Sequence, residues 1–568
     1  MSSSRPDAMP SAGAGMAGHG AGRERSGPLL DRFVAAAILL VLAGMLWLVF
    51  VHNVNWDEFY YLQQVHEHAN GTLARPLQTF HVHFFQWLTR LPFDEMGQVI
   101  AVRLVMLALF AGTAALIWRT ARAMVEARFA AIGALCFLGA GFAVGHGASF
   151  RADPIVAFLL MVSLCILFAL RLTPLRLALA GLAGALAFMV SIKAVLFAPA
   201  FLAPVLWRRD EPGALVRVGL AGVSAAAFTV VLYLWHKAQL GDAGVAQTVE
   251  IAGSAWSRAI LSGPLLPRGN EVLLWALLSV GPVAFILAAF AVRGRPLRQT
   301  VTLLLLVLPF ASVLFYRNAF PYFFPFIVPP LMVAAAVGAR ALGRRPAMLA
   351  RVLFLVAASA VLQFGLSVRE GNAVQYRLIA AVHKLFPEPV AYIDRNGMIS
   401  QFPKVGFFMS SWGIANYRRD GLPIFEDILR EHRPPLLIAN APALDNALTG
   451  NGDDASCCGL FLEDREVLRD NYLHHSGAVW LAGRVLELDS SPRDVGFLIE
   501  GPYRIEAEGT VTINGILHAS GEVAQIRQGL NVMSAEQGTA LRLLWATERD
   551  AGELRALEGP IYYGFWRL

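Results

Sequence analysis

Eleven apolar runs fill the first two thirds of this 568-residue chain, and they limit what it can fold into more than anything else in the sequence. A stretch of roughly 15 to 25 apolar residues is long enough to cross a bilayer as a helix. Within lipid a backbone must satisfy its own hydrogen bonds, so helices are the expected form. The runs fall near 31–52, 97–118, 127–145, 154–170, 174–191, 194–207, 214–236, 272–292, 299–316, 321–339 and 349–366. The sixth is short enough to be broken or re-entrant. With 56% hydrophobic and 15% charged residues, the chain sits in the multispanning membrane class, and a soluble fold is all but excluded.

Cationic side chains near helix ends are retained on the cytoplasmic side, so the basic clusters orient the spans. Those clusters fall at alternate connections: around Arg25 and Arg32, Arg119 and Arg122, Arg171 and Arg176, Arg208 and Arg209, Arg293 and Arg295, and Arg344 and Arg345. The amino terminus is then cytoplasmic. An odd number of spans places everything after about 367 outside an inner (plasma) membrane, in a periplasmic location, with the loops 53–96, 146–153, 237–271 and 316–320. The net charge of +6 is accordingly a topology signal and gives no ground for nucleic-acid binding. Residues 1–30, rich in Gly, Ala and Ser, read as a disordered cytoplasmic tail, and the first run reads as an anchor because no small-residue cleavage site follows it.

After the transmembrane part, 31–366, the texture becomes that of a soluble region. Short apolar runs at 390–393, 405–409 and 436–439, with a helical period from Ile424 to Arg430 before two prolines, predict a small α/β unit over 367–485. Alternation punctuated by turn residues over 486–568, including the closing Ile561-Tyr562-Tyr563, predicts a β-sandwich-like end. Cys136 and Cys165 lie in apolar runs and read as small core residues. Cys457 and Cys458 are adjacent, where a disulfide is strained, and no Cys/His ligand spacing accompanies them.

The long loop 53–96 divides into two amphipathic stretches. Asn55 suits an N-cap with Glu58 at N3, and Phe80, Phe84, Phe85 and Leu88 recur at helical spacing, so two surface helices are expected. His81 and His83 fall on different faces of such a helix and make a poor metal pair. No metal or cofactor is required by the residues present, although a divalent cation is compatible with them.

Ionisable residues gather where spans leave the membrane on one side. Asp57 and Glu58 open the first loop helix, where acids also serve simply to cap and to complement the dipole. Asp153 precedes Pro154 at the start of the fourth run and has the same two readings, with Arg151 beside it suited to a phosphate or to a neighbouring acid. Lys193 interrupts two apolar runs, at a depth where a cation needs a partner, a site or a route to the interface. Arg317 and Tyr322 stand at another helix mouth in a proline-rich stretch.

Asp57-Glu58, Arg75-Pro76 with the aromatic stretch to Trp87, Arg151-Ala152-Asp153-Pro154, Ser191-Ile192-Lys193 and Arg317 to Pro330 occur in the order and on the side found in one family. The chain resembles the C-type glycosyltransferases that use polyprenyl-phosphate sugars, especially glycosyltransferase family 39, the protein O-mannosyltransferases, and the lipid A aminoarabinose transferases. The resemblance covers roughly 30–366. It departs at Lys193-Ala194, where the family has Lys-Gly, and at Arg75, where the aminoarabinose transferases often have Lys. It implies a polyprenyl-phosphate sugar donor, an acceptor hydroxyl on a lipid, glycan or protein, and contact with membrane lipids. Because that donor carries its own leaving group, one carboxylate suffices, and cations hold the departing phosphate. Asp57 is then the general base with inversion expected, Glu58 and Asp153 orient substrate, and Arg75, Arg151, Lys193, Arg317 and Tyr322 face the phosphate. A polysaccharide polymerase or ligase using a lipid-linked donor, a membrane transporter and a non-catalytic assembly protein remain alternatives, although a transporter more typically shows repeated halves with sites at mid-membrane.

Overall fold

A computed structural model of the chain describes residues 26–240, 264–450, 459–535, 539–547 and 559–564. Cys457 and Cys458 and most of the expected tail lie outside the described residues. Each apolar run forms helix. Six helices are long and apolar enough to cross a membrane: Pro28–Val51, Glu95–Ala121, Ala152–Ala169, Ala214–Lys237, Leu297–Leu314 and Pro346–Ser367. A seventh crossing results if Gly269–Leu278 and Val280–Phe290, which bend by 85°, are one broken span. The other four runs, Ala127–Gly139, Pro174–Val190, Ile192–Trp207 and Pro329–Leu342, form helices shorter than 18 residues. This is a multi-pass membrane protein: among the described residues at least six helices are long enough to cross, and four of the eleven apolar runs form shorter helices.

The shorter helices have local causes. The third run stops at Gly139 because Phe142 turns left-handed, with φ 69°, before a four-residue helix Ala143–His146. The tenth is divided at Val328, where Pro329 and Pro330 open a new helix after the short Phe323–Ile327.

Pro329–Leu342 is buried at the centre, packed on Ala127–Gly139, Val280–Phe290 and Glu95–Ala121. Helices in lipid associate through close packing of small residues. Gly338 is an instance: a Cβ there would lie 1.6 Å from the Phe285 carbonyl oxygen. By contrast Ala214–Lys237 leaves Leu215, Val223 and Val231 exposed, the outward apolar face that lipid requires.

The first and last long helices end side by side. His52 bridges Gly371 antiparallel, and Gln375 clamps Val54 by accepting from its amide at 2.8 Å and donating to its carbonyl at 2.7 Å. The loop that follows therefore starts from a fixed point. Its first amphipathic stretch is the helix Trp56–Ala69, as expected, but the second is only Val82–Phe85 with a 3-10 turn, Gln86–Arg90. Gln78, at φ 61°, breaks the backbone ahead of it. Phe80 packs on Trp235 and His236 rather than lying along a surface helix.

Beyond the helix Ala373–Leu385, the strands Tyr392–Ile393, Lys404–Val405 and Leu436–Ile438 pair in parallel, the expected α/β unit. The sheet continues from Leu436–Ile438 to the antiparallel strand Val479–Leu488, and from there to Thr539–Trp545, Gly501–Ala507 and Val523–Ile526. A second, four-stranded sheet is built on Gly529–Ala535 and shares its core with the first. The α/β and β-rich parts are thus joined through one sheet. The segment 559–564 forms no strand; it returns to the loop helix instead.

Candidate active site

The loop helix Trp56–Ala69 begins with a complete capping box. The Asn55 side chain accepts from the Asp57 amide and Glu58 accepts from the Asn55 amide, both at 3.0 Å. Successive helical side chains are rotated by about 100°, so the neighbouring acids point to different surroundings. Glu58 turns inward. Its oxygens lie 2.6 and 2.8 Å from Arg103 and accept the Phe150 amide at 2.8 Å. Burial acts to raise its pKa, and Arg103 with these hydrogen bonds outweighs it, leaving the carboxyl below the ordinary range. Arg103 also donates to the carbonyls of Val49, His52 and Asn53, which the end of the first span leaves without helical partners.

Asp57 turns the other way and pairs with Arg151. Arg151 takes the N-cap position of Ala152–Ala169 without a capping hydrogen bond, so Asp153 is inside the first turn and is not the cap. The Asp153 carboxylate instead lies 2.5 Å from Lys193 and 3.6 Å from Arg151. Lys193 reaches it because the chain between the fifth and sixth runs is a 3-10 segment, Ile192–Phe197, capped by Ser191. The Arg151 guanidinium lies 3.5 Å over the Tyr322 ring, with Lys193 5.8 Å from the same ring. Asp57, Arg151, Asp153, Lys193 and Tyr322 therefore form one cluster. Within it the side chains of Arg151 and Asp153 are 6% and 3% exposed while Asp57 is 18% exposed, so Asp57 is the more accessible of the two acids. Tyr61 stands beside them, its hydroxyl pushed up by burial against the pull of Arg151.

Three expected residues stand apart from this cluster. Glu58 is engaged by Arg103, as above. Arg75 is exposed and donates to the Tyr60 hydroxyl at 3.4 Å. Arg317 is exposed, and its carbonyl accepts from Arg268, which itself stacks 3.9 Å over Phe320.

The C-terminal region adds residues that sequence reasoning missed. Arg395 lies 4.0 Å over the Trp56 ring, Asn396 donates to the Trp56 carbonyl at 2.8 Å, and the Tyr562 hydroxyl donates to Asn396 at 3.0 Å. Gly397, at φ 83°, permits this approach, since a Cβ there would lie 2.6 Å from that of Gln63. The only local signal is the polar turn Asp394-Arg395-Asn396-Gly397 after a short strand.

Among the described residues no group of three or more His, Cys, Asp or Glu side chains gathers as a metal site. His83 lies 2.7 Å from His236, and burial, aided by His236, lowers its pKa to about 4. His81 is separate, held near the Tyr61 carbonyl at 3.4 Å.

No family model matches the chain, and no curated protein matches it by sequence. Among solved structures, ArnT from Cupriavidus metallidurans bound to undecaprenyl phosphate aligns with a TM-score of 0.53 at 17% identity, over 74% of this chain and 94% of that one. Its apo state gives 0.52 at 16%, with the same coverage. The chain has a C-type glycosyltransferase fold. In this C-type glycosyltransferase fold the four charged residues of the cluster come from the connections after the first, third and fifth apolar runs, which meet at one end of the helical region.

Proposed function

We propose that the protein is a membrane glycosyltransferase that transfers a sugar from a polyprenyl-phosphate donor to an acceptor hydroxyl, with inversion, on the extracytoplasmic face of the inner (plasma) membrane. The observation that carries this reading is the Asp57–Arg151–Asp153–Lys193 cluster at a helix mouth of a C-type glycosyltransferase fold. The Lys/Arg bias of the loops supports the orientation. The undecaprenyl phosphate in the ArnT structure supports the donor class.

Asp57 takes the proton of the acceptor hydroxyl as that oxygen attacks the anomeric carbon from the face opposite the phosphate. The new bond joins acceptor oxygen to anomeric carbon. The bond to the phosphate oxygen breaks, its electron pair leaves with the polyprenyl phosphate, and the proton passes from Asp57 to water. Asp153, held by Lys193, orients the sugar, and Tyr322 fixes the Arg151 plane. Arg151 and Lys193 take up the charge growing on the leaving phosphate, with the exposed Arg75 and Arg317 as further candidate cations outside the cluster. Glu58 acts as a positioning residue that holds the helix carrying Asp57. No divalent metal is needed for these steps.

The test is transfer of radiolabelled sugar from a panel of polyprenyl-phosphate sugars in membranes carrying wild type or Asp57→Asn. Loss of roughly 10²-fold or more in the variant at equal protein level is expected. Equal transfer by both proteins sinks Asp57 as base, and no transfer from any donor sinks the glycosyltransferase reading.

A further inference from the structure

The charges around Asp57 and Asp153 are balanced among themselves: Arg151 and Lys193 are the cations that the two acids hold. Among the described residues Arg395 forms no salt bridge with either acid, although Asp57 attracts it. It reaches the site from the C-terminal region and lays its guanidinium 4.0 Å over Trp56, the residue before Asp57. Among the described residues it has no salt-bridge partner, and its Nε is buried without a hydrogen-bond partner. Stacking on an indole satisfies the face of a guanidinium, while its N–H donors lie in the plane and still need acceptors.

The turn carrying Arg395 is fixed on both sides. The Asp394 carboxylate accepts the amides of Asn396, Gly397 and Met398 at 3.0, 2.7 and 2.8 Å and the Asn440 side chain at 3.1 Å. The Arg395 amide donates to Asn440 at 2.8 Å. Asp394, the acid nearest in sequence, is therefore occupied by the turn. Burial lowers the Arg395 pKa despite the attraction of Tyr562, Asp57 and Asp394, so the guanidinium is held where it is under-compensated. A planar donor with an unmet buried N–H, anchored at the helix that carries Asp57, has the chemistry of a ligand for an anionic oxygen group.

We propose that Arg395, seated on Trp56, binds an anionic oxygen group of a substrate beside Asp57, so that the C-terminal region completes the active site. This rests on the glycosyltransferase reading for its substrates: the group is the phosphate of the donor or an anionic substituent of the acceptor.

The experiment uses purified full-length protein as wild type, Arg395→Gln and Arg395→Lys. Ligand binding is read from the shift in melting temperature with undecaprenyl phosphate, and with inorganic phosphate added over saturating undecaprenyl phosphate. Arg395→Gln is expected to weaken one of the two affinities about tenfold, with Arg395→Lys recovering part of it. A loss for undecaprenyl phosphate assigns the donor, and a loss for inorganic phosphate alone assigns an acceptor anion. Unchanged affinities for both, or no binding of either by the wild type, overturn the proposal. Should Arg395→Gln unfold, phenylglyoxal labelling of Arg395 in the wild type gives the same answer, because occupancy by either probe must protect it. Neither readout involves turnover, so failure here is separate from equal sugar transfer by Asp57→Asn, which sinks the function itself.

Discussion

Glu58 binds the guanidinium of Arg103 through both of its oxygens, at 2.6 and 2.8 Å, inside the end of the membrane helix bundle. Asp57, its neighbour, holds Arg151 at the cluster instead. The two acids thus divide into one that anchors the loop helix to Arg103 and one that joins the Arg151–Asp153–Lys193 cluster. Replacing Glu58 by Gln leaves Arg103 charged and buried without its counter-charge, which costs about 3–5 kcal/mol. The expected result is a markedly lower melting temperature and protein level for Glu58→Gln, against a smaller loss for Asp57→Asn, because Arg151 keeps Asp153 at 3.6 Å as a counter-charge. A Glu58→Gln protein that melts like wild type but transfers no sugar would mean that Glu58 acts in the reaction.

The Asp153–Lys193 pair lends itself to a double-mutant cycle. Either Asp153→Asn or Lys193→Met alone strands a mostly buried charge, whereas the double variant removes both. The coupling is expected to be roughly 1–3 kcal/mol, so the double variant is more stable than the sum of the singles predicts. Sugar transfer should stay lost in the double variant. Additive stabilities would mean that the pair is not formed in the folded protein.

These contrasts show which parts of the site were legible in sequence. The capping box depends on residues three apart, and Asn55 and Glu58 announce it directly. Asp57, Arg151, Asp153 and Lys193 were legible as a set because each lies next to the end of an apolar run, and run ends on one side of a membrane share a surface. What they bind was not legible: Asp153 reads equally as a cap until the 3-10 segment brings Lys193 to it. Arg103 carried a weak signal, a single arginine inside the run 97–118, and nothing local says that its partner is Glu58. Arg395 on Trp56 joins residues 339 positions apart in the chain, a contact that only tertiary docking specifies. The same holds for the sheet: short strands were readable, but the antiparallel pairing of Leu436–Ile438 with Val479–Leu488, which merges two apparent units, was not.

Helix packing in the membrane part makes a separate prediction. A methyl group at Gly338 would collide with the Phe285 carbonyl, on a neighbouring helix backbone that cannot rotate aside. At Gly219, on the lipid-facing helix, nothing lies within 4 Å of the same atom. Gly338→Ala should therefore lower the melting temperature strongly, with a cost of about 1–3 kcal/mol or more for overpacking. Gly219→Ala should be neutral or slightly stabilising, as alanine is the better helix former. Equal melting of the two variants would show that the helices do not approach as described.

The C-terminal region is tied to the membrane helices by a contact that should respond to pH. His383, on Ala373–Leu385, lies 2.9 Å from Glu95, the first residue of Glu95–Ala121, and Glu95 also accepts the Gln401 amide at 3.1 Å. The hydrogen bond to Glu95 raises the His383 pKa above its ordinary 6.5, although burial works against it. The folded protein therefore holds the proton more tightly than the unfolded chain does. The stabilisation is fully present below about pH 6.5, the unfolded value, and is lost as pH rises through the higher folded value. His383→Gln keeps a donor for Glu95 but cannot carry the charge. The difference in melting temperature between wild type and His383→Gln should be largest at or below about pH 6.5 and shrink as the pH is raised through the higher folded value. A difference that stays constant across that range would mean that His383 is neutral in the folded protein and that Glu95 holds the C-terminal region through the Gln401 amide alone.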